Sequence, residues 1–292
     1  MYRRGIKSFS SIPLPQGFNM YEKARPDYPA RALATLNSFL HLDDQSHTTG
    51  LIDVVEVGAG RGKLTKALKR VLPKQTRFVA LEKDASLRNE LQSLVPGVPV
   101  YQGCANETNL PDASVRNIVI GHAFHCMADA NALGELHRVL VPNGRLSILL
   151  NTADFNSSPF MNEVEYVVKS FNAAYTPHEE ARALQEIFHE CPLLFSKMES
   201  REIRTVLTAS VEGIVKYLMS TCVISDLSHR RQTDVRLSIA RLIEMNPDVR
   251  LENGRRILDL PCVVEMHYVE KRQALETEGE STESNRRALQ GC

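Results

Sequence analysis

The chain has 292 residues, 43% of them hydrophobic, and carries 35 Lys and Arg against 35 Asp and Glu. That length and apolar content suit one large α/β domain with an elaboration, or two small domains, and exclude a disordered chain. Balanced charge argues against a nucleic-acid partner, which leaves a basic footprint, and no apolar run approaches the ~18 residues of a membrane span.

Residues Met1 to Ser11 are basic, carry serines and precede the first acid, Glu22. They resemble a mitochondrial presequence, and the plain alternative is an N-terminal arm over 1–17. Pro26 to Leu40 reads as a helix, with Leu33, Leu36, Phe39 and Leu40 at helical spacing. His41 to Gly50 is a polar loop. A strand from Asp53 runs into Gly58, and Leu64, Ala67, Leu68, Val71 and Leu72 mark the helix behind it. A second strand, from Arg77, ends in Glu82, and Leu87, Leu91 and Leu94 mark the next helix. Pro99 to Gln102 is a short third strand and Asn117 to Gly121 a fourth. The helix through Leu133, Leu136, Val139 and Leu140 is stopped by Pro142-Asn-Gly, a turn signal, before a fifth strand from Arg145 to Leu150. Strands alternating with helices predict a doubly wound, mostly parallel sheet covered on both faces.

The pattern then changes. Helices are expected around Phe160 to Phe171, Ala183 to Phe188, Ile214 to Met219 and Val235 to Ile243, with strands near Ser200 to Leu207 and Val263 to Val269. The expected organisation is a core at 18–154, a helical lid and substrate region with one strand at 155–254, a final strand at 255–272 and a disordered polar tail at 273–292. Phe155, Phe160, Tyr166, Phe171 and Tyr175 could line a pocket under that lid, or simply form its core at 3.6-residue spacing. Cysteines at 104, 126, 191, 222, 262 and 292 contain no C-x-x-C pair. Neither a zinc site nor a disulfide framework is therefore expected, and the plain reading is a cytoplasmic protein with reduced thiols.

The chemistry concentrates in Asp53-Val-Val-Glu-Val-Gly-Ala-Gly-Arg-Gly-Lys-Leu64 and in Glu82. A dinucleotide fingerprint needs G-x-G-x-x-G, but the third glycine, Gly62, comes one residue early and Lys63 holds its place. A phosphate loop needs G-x-x-x-x-G-K-[ST], but Val57 and Leu64 stand where the first glycine and the hydroxyl belong. What remains is E-x-G-x-G-x-G, Glu56 through Gly58, Ala59 and Gly60 to Gly62, followed one strand later by an acid. Glu82 at that strand end can accept both hydroxyl protons of a ribose.

This pair of motifs resembles the opening of the class I S-adenosylmethionine-dependent methyltransferases. Tyr21-Glu-Lys-Ala-Arg25-Pro-Asp-Tyr-Pro29 resembles the Y-x-x-x-R-P-x-Y-P segment of the group around trans-aconitate methyltransferase. Ala123-Phe-His125-Cys126 is similar to that group's A-x-H-W, with cysteine in place of tryptophan, and Gly134 to Gly144 to its E-x-x-R-V-L-x-P-G-G stretch. Tyr217 to Cys222 matches its Y-L-x-S-x-S weakly. The resemblance spans residues 18 to 272 and implies a Rossmann-like, seven-stranded sheet with a helical lid inserted late.

It implies S-adenosyl-L-methionine as cofactor, held by Glu56, Gly58, Ala59, Gly60, Gly62, Glu82, Lys83, Ala105, Asn106, Gly121 and His122, with Tyr21 and Arg25 closing over cofactor or substrate. His125 is the candidate general base, since an imidazole titrates near neutrality; it could instead orient substrate or pack against the cofactor. Cys104 and Asn106 stand where an acid near the adenine amine is usual, and Asn117, preceded by Arg116, where an aspartate is. The implied reaction is methyl transfer to a small organic molecule, a carboxylate, hydroxyl or acidic carbon. The rival reading keeps the fold and binds the cofactor or a ligand, but guides cyclisation or elimination or acts as a binding module. No metal is implied. A small-molecule substrate, no nucleic acid, no membrane, and a monomer or homodimer complete the expectation.

Overall fold

A computed structural model describes residues 25–42, 52–123, 129–171, 179–221, 224 and 227–273. Helix α1 (Ala30–Leu40) is followed by β1 (Ile52–Val57), α2 (Lys63–Val71), β2 (Phe78–Leu81), α3 (Ala85–Leu94), β3 (Val100–Tyr101) and β4 (Val115–Gly121). Then come α4 (Ala130–Val139), β5 (Leu140–Ala153), α5 (Pro159–Phe171), α6 (Glu179–Glu190) and β6 (Glu199–Ser210). The chain closes with α7 (Val211–Met219), α8 (His229–Met245), β7 (Arg250–Glu252) and β8 (Arg255–Glu270). Among the described residues no helix is long and apolar enough to cross a membrane.

One sheet runs in the order β3-β2-β1-β4-β5-β8-β6, and β7 pairs with β8 off that path. The first five of these are parallel, with Val57 beside Leu81 and Ile118 beside Leu146. β8 lies antiparallel between β5 and β6. The central strands are near-continuous apolar runs because both faces are covered. Val54, Ala80 and Val119 face α1, α2 and α3 through Leu36, Leu68 and Leu91. Val55, Leu81 and Ile118 face α4 and α6 through Leu136 and Phe188.

The doubly wound, mostly parallel sheet is therefore as expected, with an eighth strand in addition. β7 is a three-residue arm joined to β8 by Asn253 and Gly254, both at positive φ. Such an Asn-Gly pair makes a tight hairpin turn. Two other boundaries differ. α1 starts at Ala30 and not at Pro26, because a proline disfavours helix at the residue before it, and Arg25-Pro26 and Tyr28-Pro29 repeat that restriction. Pro29 is extended, at φ −68° and ψ 150°. Pro142-Asn143-Gly144 does not separate helix from strand, since β5 already begins at Leu140. The turn residues instead sit inside the span of β5, where its pairing with β4 passes from Val115–Leu140 to Asn117–Arg145, two residues of β4 against five of β5, and the regular ladder runs on from Arg145.

The late helices divide. α5, α7 and α8 share a core built on Met161, Val164, Ile214, Leu218, Val235 and Ile239, seated on Ala153, Leu258, Leu260 and Cys262 of β5 and β8. Phe155, Phe160 and Phe171 pack against that core, whereas Tyr166 is exposed. α6 lies elsewhere, against the sheet face that α4 covers. Tyr175 is outside the described residues.

Candidate active site

β1, β2 and β4 end side by side at Val57, Leu81 and Gly121, and the cleft opens beyond them. Gly58, Gly60 and Gly62 all have positive φ, at 73°, 56° and 83°. The turn needs that region at alternate residues, which glycine enters without a Cβ penalty. The N–H groups of Gly58 and Ala59 both donate to the Leu81 carbonyl, at 2.9 and 3.0 Å. Buried Glu82 fixes the middle of the turn: Oε2 accepts from the Gly60 N–H at 2.8 Å and Oε1 from the Asp84 N–H at 2.9 Å. Sequence spacing brings Glu82 to the strand end; the structure adds that its carboxylate holds the glycine turn in place.

Among the described residues, Arg25, Tyr28, Glu56, Gly58, Ala59, Lys63, Leu64 and Gly121 line the cleft. Residues 25–29 form one wall, with Arg25 and Tyr28 lining it. Lys63, the first residue of α2, donates to the Arg25 carbonyl oxygen and lies 3.3 Å from the exposed carboxylate of Asp27. From the other side, buried Asn151 of β5 donates through Nδ2 to the carbonyls of Pro26 at 2.9 Å and Asp27 at 3.4 Å. Gly121 sits beneath this wall. A Cβ there would lie 2.7 Å from Leu64 Cδ2 and 2.8 Å from the Tyr28 hydroxyl, so any larger residue would have to push those side-chain ends aside.

His122 is buried and left-handed, at φ 55°. Its N–H donates to the Leu149 carbonyl at 2.8 Å. Its Nε2 lies 2.7 Å from the Asn151 carbonyl oxygen and 2.6 Å from the Asn151 nitrogen, so either tautomer finds a backbone partner. His122 thus joins the end of β4 to the strand that holds the wall.

The remaining expected residues lie around this centre. Glu56 is buried at the end of β1 and lines the cleft. The face of Gly62 where a side chain would stand points to α3, where a Cβ would meet Leu91 Cδ1 at 2.1 Å. Its lack of a side chain serves helix packing. Lys83 is exposed, and its carbonyl accepts from Arg88 at 2.6 Å. Ala105 is fully buried against the α4 side of the sheet. Asn106 Nδ2 donates to both oxygens of Asp129, at 2.8 and 3.0 Å, while Asp129 caps α4 through the Ala132 N–H. Glu135 of α4 accepts from the Thr108 N–H at 2.9 Å and from Arg138 Nε at 2.7 Å. Burial pushes the Glu135 carboxyl up, but the bonds from Arg138 and Thr108 outweigh it and hold the pKa at about 2. Buried Asn117 donates to the Asp53 carbonyl at 3.1 Å, a structural use at the far end of the strands. Tyr21, His125 and Cys126 lie outside the described residues.

Tyr28, Lys63, Leu64 and Asn151 were missing from the expected set. Tyr28 and Lys63 stand within the motifs that carried it. Asn151 leaves no sequence signal, because only the register of β5 brings it to Pro26.

Residues 55–148 match a family model described as a methyltransferase domain. An uncharacterized methyltransferase of Schizosaccharomyces pombe is 34% identical over 149 residues, 51% of this chain and 56% of that protein. One from Mycobacterium tuberculosis is 31% identical over 144 residues, 49% of this chain and 54% of the other. The matched stretch thus spans about half the length of these curated relatives. Among solved structures, a proposed type II methyltransferase from Anaeromyxobacter dehalogenans superimposes with a TM-score of 0.55 at 18% identity, over 84% of this chain and 97% of that one. At that identity the likeness is one of fold.

Proposed function

We propose that this chain, whose sheet core is a class I S-adenosylmethionine-dependent methyltransferase domain, transfers a methyl group from S-adenosylmethionine to a small organic molecule. The acceptor is a carboxylate, a hydroxyl or an acidic carbon. The observation that carries the reading is Glu82 at the glycine turn. Each of its oxygens accepts one backbone N–H and keeps acceptor capacity for a ribose hydroxyl. A carboxylate so placed fits an adenosine-bearing ligand better than a phosphate, which it would repel.

On this reading Gly58, Ala59 and Gly121 let the ligand approach the backbone closely. Arg25 and Lys63 place positive charge where the methionine carboxylate would lie. Asn106, its amino group engaged by Asp129, offers its carbonyl oxygen to the adenine amine. When bound, the cofactor supplies a methyl group on a positively charged sulfur, which needs no further activation. The chain then has to hold the acceptor in line with that methyl, an orientation effect worth ~7–11 kcal/mol. A carboxylate acceptor is already ionised at neutral pH. A hydroxyl or carbon acid needs a base, and His125 is assigned that proton. The cap of α5, α7 and α8 supplies the acceptor side. The Cys104 and Cys262 thiols fit a reducing cytoplasm.

The test is calorimetric titration of S-adenosylmethionine and S-adenosylhomocysteine into the wild type and into Gly58→Arg and Glu82→Ala. Micromolar binding that disappears in both variants supports the reading. A wild type that binds neither compound overturns it. Release of S-adenosylhomocysteine with a panel of small acids and alcohols then reads the reaction, and unchanged turnover in His125→Ala would remove the base.

A further inference from the structure

The sheet has two edges, and they differ. β3 is two residues long, too short to template another strand. β6 is twelve residues long and, among the described residues, pairs on one side only, with β8. No other described backbone group bonds to Glu199 through Ala209. Natural edges of this length are blunted by charge. Here the charges have both signs: Glu199, Arg201, Glu202 and Arg204 are all exposed.

The geometry points to a second copy of this chain as the occupant, with the two β6 strands pairing antiparallel about a two-fold axis normal to the sheet. Opposed side chains in an antiparallel pair share a face. Such an axis preserves the faces, so opposed residues must be both odd or both even in number, and every symmetric register is centred on one residue. Centring on Arg201, Glu202 or Arg204 sets like charges directly opposite each other, which is destabilising. Centring on Thr205 pairs no charges. Centring on Ile203 sets Glu202 against the partner's Arg204, and Arg204 against the partner's Glu202.

Two features of the single chain favour that register. Glu202 stands directly opposite Glu265 of β8, a like-charge pair whose cost a cation on the open side of Glu202 would offset. The Arg204 side chain is 77% exposed, with its Nε 3.3 Å from Asp154, and a guanidinium has five N–H donors, enough to serve a second carboxylate on the partner. Paired in this way, the two eight-stranded sheets become continuous across the dimer.

Analytical ultracentrifugation of the full chain tests the proposal at micromolar concentrations. The wild type is expected at twice the 32.8 kDa chain mass. Glu202→Arg alone and Arg204→Glu alone each face like charges across the axis and are expected at the chain mass, with unchanged circular dichroism. The Glu202→Arg/Arg204→Glu double variant restores the dimer. So does an equimolar mixture of the two single variants, because each then meets its opposite charge. A monomeric wild type overturns the proposal and leaves the edge to a strand of another protein. Single variants that stay dimeric also overturn it, by placing the contact in another register of β6 or on another surface.

Discussion

β1, β2 and β4 have six, four and seven residues and stop together at the cleft. β5, β8 and β6 have 14, 16 and 12 residues and run past it. Gly121 pairs with Leu149, yet β5 continues to Ala153, and β8 extends further still toward Arg255. The short parallel strands end in turns whose backbone groups are individually fixed, by Glu82 at one and Asn151 at another. The long strands end in apolar surface, and on that overrun α5, α7 and α8 build their own core. Precision at the cleft thus comes from polar ties between chain segments. The cap depends on buried area, and the two halves should respond differently to damage.

The largest effect is expected in the cap. Ile239 is fully buried between α8 and its neighbours. Ile239→Ala should cost about 2–5 kcal/mol, as large-to-small core changes do, read as a lower urea midpoint. If the halves are separable, the folded variant still binds S-adenosylmethionine with wild-type affinity. A parallel loss of affinity would mean that the cap also shapes the cofactor end.

In the front half the stability term is electrostatic. The Glu135 carboxyl is held at about 2 against 4.5 unfolded. A depressed folded pKa gives stability that is complete above the unfolded value and is lost as pH falls through the folded one. The wild type should therefore weaken between pH 4.5 and about 2. Glu135→Gln should show a flatter profile in that window and lose about 1.5–3 kcal/mol at neutral pH, the worth of hydrogen bonds to a charged group. Denaturation midpoints across the window decide it.

Sequence made the front half legible because its determinants are local. The alternating glycines, the acid one strand later and the apolar runs all fall within single supersecondary units, and the structure keeps them as such. What stayed hidden was non-local or ambiguous. Periodicity showed that α6 has an apolar face, but not that this face joins α4 on the sheet and not the cap. Pro142-Asn143-Gly144 has the chemistry of a turn, and with Asn143 at φ 59° it makes an excursion within β5, whose pairing with β4 starts before it at Leu140 and resumes after it at Arg145. Gly62 stood in a binding motif, and its missing side chain makes room for Leu91. Tyr28 and Lys63 were in view but unassigned, since bringing both to the cleft depends on the path of residues 26–29. The curated relatives share about half their length with this chain, so likeness to them adds little about the cap.

Asn151 gives the smallest and most pointed test, because it lies where a long strand overruns and serves the cleft. Its side chain is the tie from β5 to the Pro26 carbonyl, and its backbone receives His122. Asn151→Leu keeps the backbone and the approximate volume and removes only the amide. The freed Pro26 carbonyl then has to find water, at a cost of about 1–3 kcal/mol when it cannot. If residues 25–29 form the cofactor wall, part of that cost appears in binding, and a loss of about 1.4 kcal/mol corresponds to a tenfold weaker dissociation constant for S-adenosylmethionine. Asn151→Gln, which keeps the donor on a longer arm, should recover part of the affinity. Loss of stability with unchanged affinity would instead make the tie a fold-level clamp and would place the wall outside cofactor binding.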